Sequence, residues 1–183
     1  MNASHIALLE ELGANVTSHS RRTLLAHLQG THDLLAAWEN ESHVCVAGLF
    51  HSVYGTYAFD KQCADMSMRE QIRGVIGSDA EHLVYLFCVT DRRCFYEHLG
   101  ASRFCLRDIV HDRDLELDHD ILAALIEIEV ANILEQVPRR SRKKARHVAE
   151  WYGDAFSRSR DYISPPAAKA AERCLTAVFT EVP

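Results

Sequence analysis

The stretch Val44-Cys45-Val46-Ala47-Gly48-Leu49-Phe50-His51-Ser52 decides the fold. It follows Ser42, a residue type that caps helix N-termini. A helix built from Val44 to Phe50 is apolar all round, so it belongs at the centre of a helical domain rather than on its surface. His51 closes the run. Its neighbours pull it toward the core, where an unpaired polar group costs roughly 1–3 kcal/mol, so it requires a hydrogen-bond partner or a metal.

Periodicity extends the helical reading in both directions. Upstream, residues 5–13 predict a short amphipathic helix closed by Gly13. Leu24, Leu25, Leu28, Leu35 and Trp38 predict a second over 22–39. Downstream, the central helix stops near Val53-Tyr54-Gly55-Thr56, and Met66–Ile76 predicts another ended by Gly77. Ser78 and Glu81 have the spacing of a capping box, which opens a helix running to about Arg92. Glu81 is then the cap partner of Ser78, and Arg69 and Arg73 form a solvated face. Residues 93–99 add a turn or two before Gly100. Phe104, Leu106 and Ile109 alternate with polar residues, as do Leu115 and Leu117, which predicts a short hairpin near 103–117 that must lean on the helices. Asp118 or Asp120 opens a long helix to Gln136, stopped by Pro138. Helices follow over Ser141–Phe156 and from Ser164-Pro165 to about Phe179. The expected fold is all-α, a single domain of about eight or nine helices spanning 1–183.

Composition narrows the function classes. The chain has 183 residues, 48% hydrophobic and 25% charged, which suffices for a core without disulfide staples and excludes a disordered chain. A net charge of −6 argues against a nucleic-acid partner. The run Arg139-Arg140-Ser141-Arg142-Lys143-Lys144-Ala145-Arg146 opposes that sign and reads either as a solvated helix start or as a local anion patch. No stretch of about 18 apolar residues offers a membrane span. Six cysteines without a CxxC pair speak against a zinc ribbon and for reduced thiols in a cytoplasmic protein.

His27, within the second helix, precedes His51 by 24 residues. Val75-Ile76-Gly77, Ala80-Glu81-His82-Leu83-Val84, Val89-Thr90 and Val130-Ala131-Asn132 follow in order. This pattern resembles the HD-domain superfamily of metal-dependent phosphohydrolases, and the RelA/SpoT-type alarmone hydrolases in particular, over about residues 20–140; residues 141–180 are further C-terminal helices. Leu49-Phe50-His51-Ser52-Val53-Tyr54-Gly55-Thr56 is similar to a divergent bacterial branch with His-Ser in place of His-Asp.

The resemblance implies a metal site at His27, His51 and Asn132, with Asp91 or Glu129 completing it. It implies a catalytic group of His51, Ser52, Tyr54 and Thr56, with Gly55 turning Tyr54 and Thr56 inward. Beside the resemblance, Arg21 and Arg22 read as a polar face or a phosphate clamp, and Arg92 as part of a helix C-terminus or an anion-binding residue at the pocket rim; on the second readings Arg21, Arg22, Arg92 and Asn132 hold substrate. The cofactor would be one divalent metal (Fe, Mn or Zn) or none, with His51 then the general base. The departures matter equally. Ser52 and Asn132 stand where the family has aspartates, and its acidic catalytic pair falls in Tyr54-Gly55-Thr56-Tyr57, which has no carboxylate. Such a donor set is poor for a hard cation like Mn²⁺. The expectation is an HD-like enzyme acting on a small polar or anionic molecule and inefficient toward (p)ppGpp. The alternatives are a catalytically degenerate HD-like module that binds a ligand or partner, or two histidines with a purely structural role. Apolar surface on the terminal helices leaves room for a homodimer.

Overall fold

A computed structural model describes residues 1–19, 22–56, 62–97, 99–100 and 104–180. Among them the fold is all-α. It has eight α-helices: α1 (Ala3–Glu11), α2 (Leu24–Ala37), α3 (Ser42–Phe50), α4 (Arg69–Ile76), α5 (Ser78–Val89), α6 (His119–Gln136), α7 (Arg142–Arg158) and α8 (Pro165–Thr180). Arg21 and Tyr57 lie outside the described residues, as does residue 103 of the expected hairpin.

Two helices form the centre. All of Val44–Phe50 in α3 is buried, as its apolar circumference requires, and α6 is buried without interruption from Leu125 to Gln136. The burial of α6 includes Glu127, Glu129, Asn132, Glu135 and Gln136, a polar seam through the core that a pattern of leucines and isoleucines does not announce. The buried apolar cluster is continuous from Leu8 to Leu175. Two glycines set the spacing of the central helices. A Cβ on Gly48 would stand 2.2 Å from Leu35 Cδ1, so α2 and α3 touch backbone to side chain. A Cβ on Gly30 would stand 2.9 Å from Glu135 Cγ, so α2 approaches α6 as closely.

The hairpin is β3 (Phe104–Asp108) paired antiparallel with β4 (Arg113–Leu117), with Phe104 opposite Leu117 and Leu106 opposite Leu115. It leans on the helices as expected: the Ile109 amide donates to the Val89 carbonyl at 2.9 Å. Ile109 itself is 43% exposed and takes no inward position, because the strand ends one residue earlier. A second ladder, β1 (Ser18–His19) with β2 (Arg22–Thr23), replaces the first turn expected for α2. Thr23 then caps α2 by accepting from the Ala26 amide at 3.3 Å.

The capping-box reading is corrected. The N-cap of α5 is Gly77, at φ 87°, and Ser78 is the first helical residue. Glu81 is fully buried and reaches away from the helix start. It accepts from Arg69 Nε at 2.6 Å, from Arg69 Nη2 at 3.0 Å, from Arg73 Nη2 at 3.3 Å and from the Tyr54 hydroxyl at 3.2 Å. Arg69 and Arg73 are therefore the partners of a buried carboxylate rather than a solvated face. Arg69 also lies over the Tyr85 ring at 3.7 Å.

Candidate functional site

Both histidines emerge from these packing relations. His27 sits one turn into α2 and His51 directly follows α3. The close approach at Gly48 brings the two helices together, and the ring Nε2 atoms face each other at 3.3 Å. Both residues are almost completely buried, at 1% and 2% exposure.

The remaining nitrogens are engaged. His51 Nδ1 donates to the Gly48 carbonyl at 2.7 Å, which leaves its Nε2 without a proton in the neutral ring. His27 Nδ1 meets Glu135 Oε2 at 2.5 Å. The other oxygen, Glu135 Oε1, receives Arg22, with Arg139 Nη1 at 3.4 Å. If Glu135 is a carboxylate, His27 Nδ1 is the donor and two Nε2 lone pairs point at each other. In that state the chain Glu135–His27–His51–Gly48 is one cation short, and a metal ion between the rings would close it; burial raises the Glu135 carboxyl, and a proton held there would close the same chain through His27 Nε2–H to His51 Nε2.

Burial discourages the proton. Desolvation, with the neighbouring His19 and Arg22, pushes the His27 imidazole down to about 2. Burial and His27 hold His51 well below its ordinary value. Both rings are therefore neutral at ordinary pH, the charge state that ligation requires. Two nitrogens each about 2.0–2.1 Å from one tetrahedral Zn²⁺ stand about 3.3 Å apart. The donor types fit zinc or ferrous iron better than manganese. Among the described residues, however, no group of three or more His, Cys, Asp and Glu side chains converges as a ready cage.

The histidines form the floor of a cavity of about 430 Å³. His27, His51, Ser52, Thr56, Arg92 and Asn132, six of the residues singled out in the sequence, all line it. Asn132 donates to Glu129 Oε2 at 2.9 Å and accepts from Gln136 Nε2 at 2.9 Å, so its amide joins two α6 side chains as well as facing the cavity. Glu129 also accepts from the Tyr152 hydroxyl at 2.6 Å and lies 3.4 Å from Arg92 Nε.

Three expected site residues have other placements, and a fourth is not described. Tyr54 turns to Glu81 instead of the cavity, even though Gly55 takes the left-handed conformation expected of it, at φ 78°. Asp91 caps the 3-10 turn Arg92–Tyr96 by accepting from the Arg93 amide at 3.0 Å and pairs with the Arg93 guanidinium, which removes it from the histidines. Arg22 stands behind His27 on Glu135. Arg21 is outside the described residues. The sequence reading also missed His19, Gln136 and Arg140 among the lining residues. His19 stacks on His27 with ring centroids 4.4 Å apart. The signal for Gln136 was available, since it lies one turn beyond Asn132 on the same face of α6.

Residues 8–92 match the model of a family described as "Domain of unknown function (DUF6817)". No curated protein and no solved structure matches the chain. The match takes in His27, His51, Ser52, Thr56 and Arg92 and stops short of Asn132, so the cavity joins the matched segment to the helices that follow it. No helix among the described residues is long and apolar enough to cross a membrane.

Proposed function

We propose that this chain is a divergent HD-domain-like enzyme that acts on a small polar or anionic molecule in the His27–His51 cavity. One observation carries the reading: the Nε2 atoms of two buried imidazoles face each other at 3.3 Å beside an open cavity. With Glu135 as a carboxylate, the pair leaves room for a cation between the rings.

His27 and His51 would hold a divalent metal, zinc or ferrous iron. Glu135 would orient His27 and the Gly48 carbonyl would orient His51, the outer partners that fix a ligand's tautomer and direction. Ser52, with its buried hydroxyl beside them, would contribute a third, weaker oxygen. A metal there would act as a Lewis acid or lower the pKa of a bound water. The protein's own share is to exclude bulk water through Phe87, packed edge-on against His51 at 5.3 Å, and to offer Arg92 to an anionic group.

Among the described residues no free carboxylate stands beside the histidines, which supports the expectation that (p)ppGpp is a poor substrate. Glu129 and Glu135 are both committed to arginines and cannot activate water as they stand. That commitment also favours the second reading, a degenerate HD-like module that binds its ligand without turning it over. The reading takes the protein as cytoplasmic, consistent with six free thiols, and independent of nucleic acid.

The test is metal analysis of chelator-stripped protein reloaded with zinc, iron or manganese. The reading expects one equivalent of zinc or iron per chain and none in a His27→Ala/His51→Ala protein. Wild-type protein that takes up no metal and gains no thermal stability from any of the three overturns the metal-assisted enzyme. Robust manganese-dependent pyrophosphate release from (p)ppGpp would overturn the substrate expectation.

A further inference from the structure

The polar atoms of the cavity are not all spoken for. Ser52 Oγ, Thr56 Oγ1 and Arg140 Nε are buried and have no hydrogen-bond partner among the described residues, and all three residues line the cavity. Each can donate. Buried donors without acceptors are costly, and three around one space point to an absent acceptor.

Charge identifies the acceptor. Of the two lining arginines, Arg92 faces the buried Glu129. Arg140 has no ion pair among the described residues and donates to the neutral Gln136 Oε1 at 2.9 Å. The lining therefore carries one uncompensated positive charge, which matches a monoanion.

A second chamber adjoins the first. Its volume is about 320 Å³, and it shares Arg92, Val148 and Tyr152 with the histidine cavity. Its charges are paired, Asp91 with Arg93 and Arg92 with Glu129. Its remaining walls are His147, Val148, Trp151 and Tyr152. Trp151 is 44% exposed while packing edge-on against Tyr152 at 4.4 Å, so an indole surface is left open on the wall of the second chamber, next to the shared Tyr152. Sites in this size range typically combine flat apolar walls with a few convergent polar groups.

We propose that the two chambers bind one molecule, a monocarboxylate bearing a flat apolar group. Its carboxylate sits on Arg140 Nε with the Ser52 and Thr56 hydroxyls, and its ring lies against Trp151. The inference rests on the cavity being the ligand site, as proposed above, and is independent of whether a metal occupies the histidines.

The experiment is calorimetric titration of the full chain with 3-phenylpropionate, acetate, 3-phenylpropanol and inorganic phosphate. The expected result is that 3-phenylpropionate binds more tightly than each of the other three by about tenfold or more. Arg140→Gln weakens its binding by about tenfold, the fold-change of one lost charge-assisted hydrogen bond, and leaves 3-phenylpropanol unchanged. Trp151→Ala weakens 3-phenylpropionate and leaves acetate unchanged. Wild-type fluorescence gives a reading that needs no variant: Trp38 is only 6% exposed, so a change in emission on adding 3-phenylpropionate reports Trp151. Phosphate binding more tightly, 3-phenylpropionate binding no better than acetate, an Arg140→Gln protein with wild-type affinity, or unchanged emission at saturation each overturns the inference. Metal uptake by the same preparation separates the two proposals: uptake without carboxylate binding sinks this one alone, and carboxylate binding without uptake sinks only the metal reading.

Discussion

Two buried polar clusters flank the turn after α3, and they are opposites. Around Glu81 the carboxylate is fully answered: both oxygens take donors from Arg69, Arg73 and Tyr54, and Arg73 Nε alone in that cluster lacks a partner among the described residues. Around His51 the accounts stay open. Two imidazole nitrogens face each other, the Ser52 and Thr56 hydroxyls lack partners among the described residues, and a cavity of about 430 Å³ adjoins them. A closed network holds the fold, whereas an open one in the same core marks where something else binds. Tyr54 and His51 are three residues apart, so the closed cluster fixes the turn that presents the open one.

The comparison breaks most severely at Glu81. Glu81→Gln leaves Arg69 and Arg73 facing a neutral amide, and loss of one partner from a buried ion pair costs about 3–5 kcal/mol. Chemical denaturation at neutral pH measures that loss. The pH dependence has a defined sign. Burial raises the Glu81 carboxyl, but the hydrogen bonds and charge of Arg69, with Arg73 and Tyr54, outweigh burial and hold it below its ordinary 4.5. A depressed carboxyl stabilises the fold above its unfolded-state value and loses that contribution as pH falls through the folded one. The gap between wild type and Glu81→Gln is therefore full at pH values above about 5 and shrinks below the ordinary carboxylate range. A gap that stays constant into acid contradicts the closed-cluster account.

Next in size is the helix contact that places the histidines. Gly48→Ala drives a methyl group into the fully buried Leu35 side chain and is expected to cost about 1–3 kcal/mol, the usual range for overpacking. The same variant should also weaken zinc binding, because α2 and α3 can no longer approach so closely. Unchanged metal affinity in a destabilised Gly48→Ala protein would detach the helix spacing from the site.

Ser52→Asp sharpens the contrast from the other side by adding a carboxylate where the HD-like pattern keeps one. Metal-dependent stabilisation follows RT ln(1 + [L]/Kd), about 2.7 kcal/mol at a hundredfold excess over Kd, so the variant should gain more from added metal than wild type. The parallel change at Asn132 is a poor one, since its amide donates to Glu129 and an aspartate there would set two carboxylates together. The smallest effect belongs to Ser52→Ala. Its hydroxyl has no partner to lose among the described residues, so stability should stay within about 0.5 kcal/mol of wild type or rise slightly. A loss comparable to that of Gly48→Ala would mean that Ser52 has a structural partner after all.

The contrast also separates what could be read from the sequence from what could not. Helix identity and order came from local periodicity, which does not depend on tertiary partners; α3 and the β3–β4 hairpin are examples. His27, His51, Ser52, Thr56, Arg92 and Asn132 converge because the helices that carry them were placed in the right order. Glu81 was misread because the spacing of Ser78 and Glu81 is the same for a capping box and for a carboxylate turned inward. Only the position of Arg69, on a different helix, decides between them. Arg140 was one cation in a basic run, and nothing local distinguishes the arginine that enters a cavity from those that stay in water. The two-residue ladder at Ser18–Thr23 is too short to leave a periodic trace.

The central claim is that the two Nε2 atoms on the cavity floor await a cation, and nitrogen NMR of the histidine rings tests it most directly. The protein contains eleven histidines, and each ring reports its tautomer and ligation separately. Titrating zinc into chelator-stripped protein is predicted to shift the Nε2 resonances of His27 and His51 together, complete at one equivalent, with the Nδ1 of His51 still protonated toward Gly48. Zinc that shifts exposed histidines while these two rings stay unchanged would contradict the account.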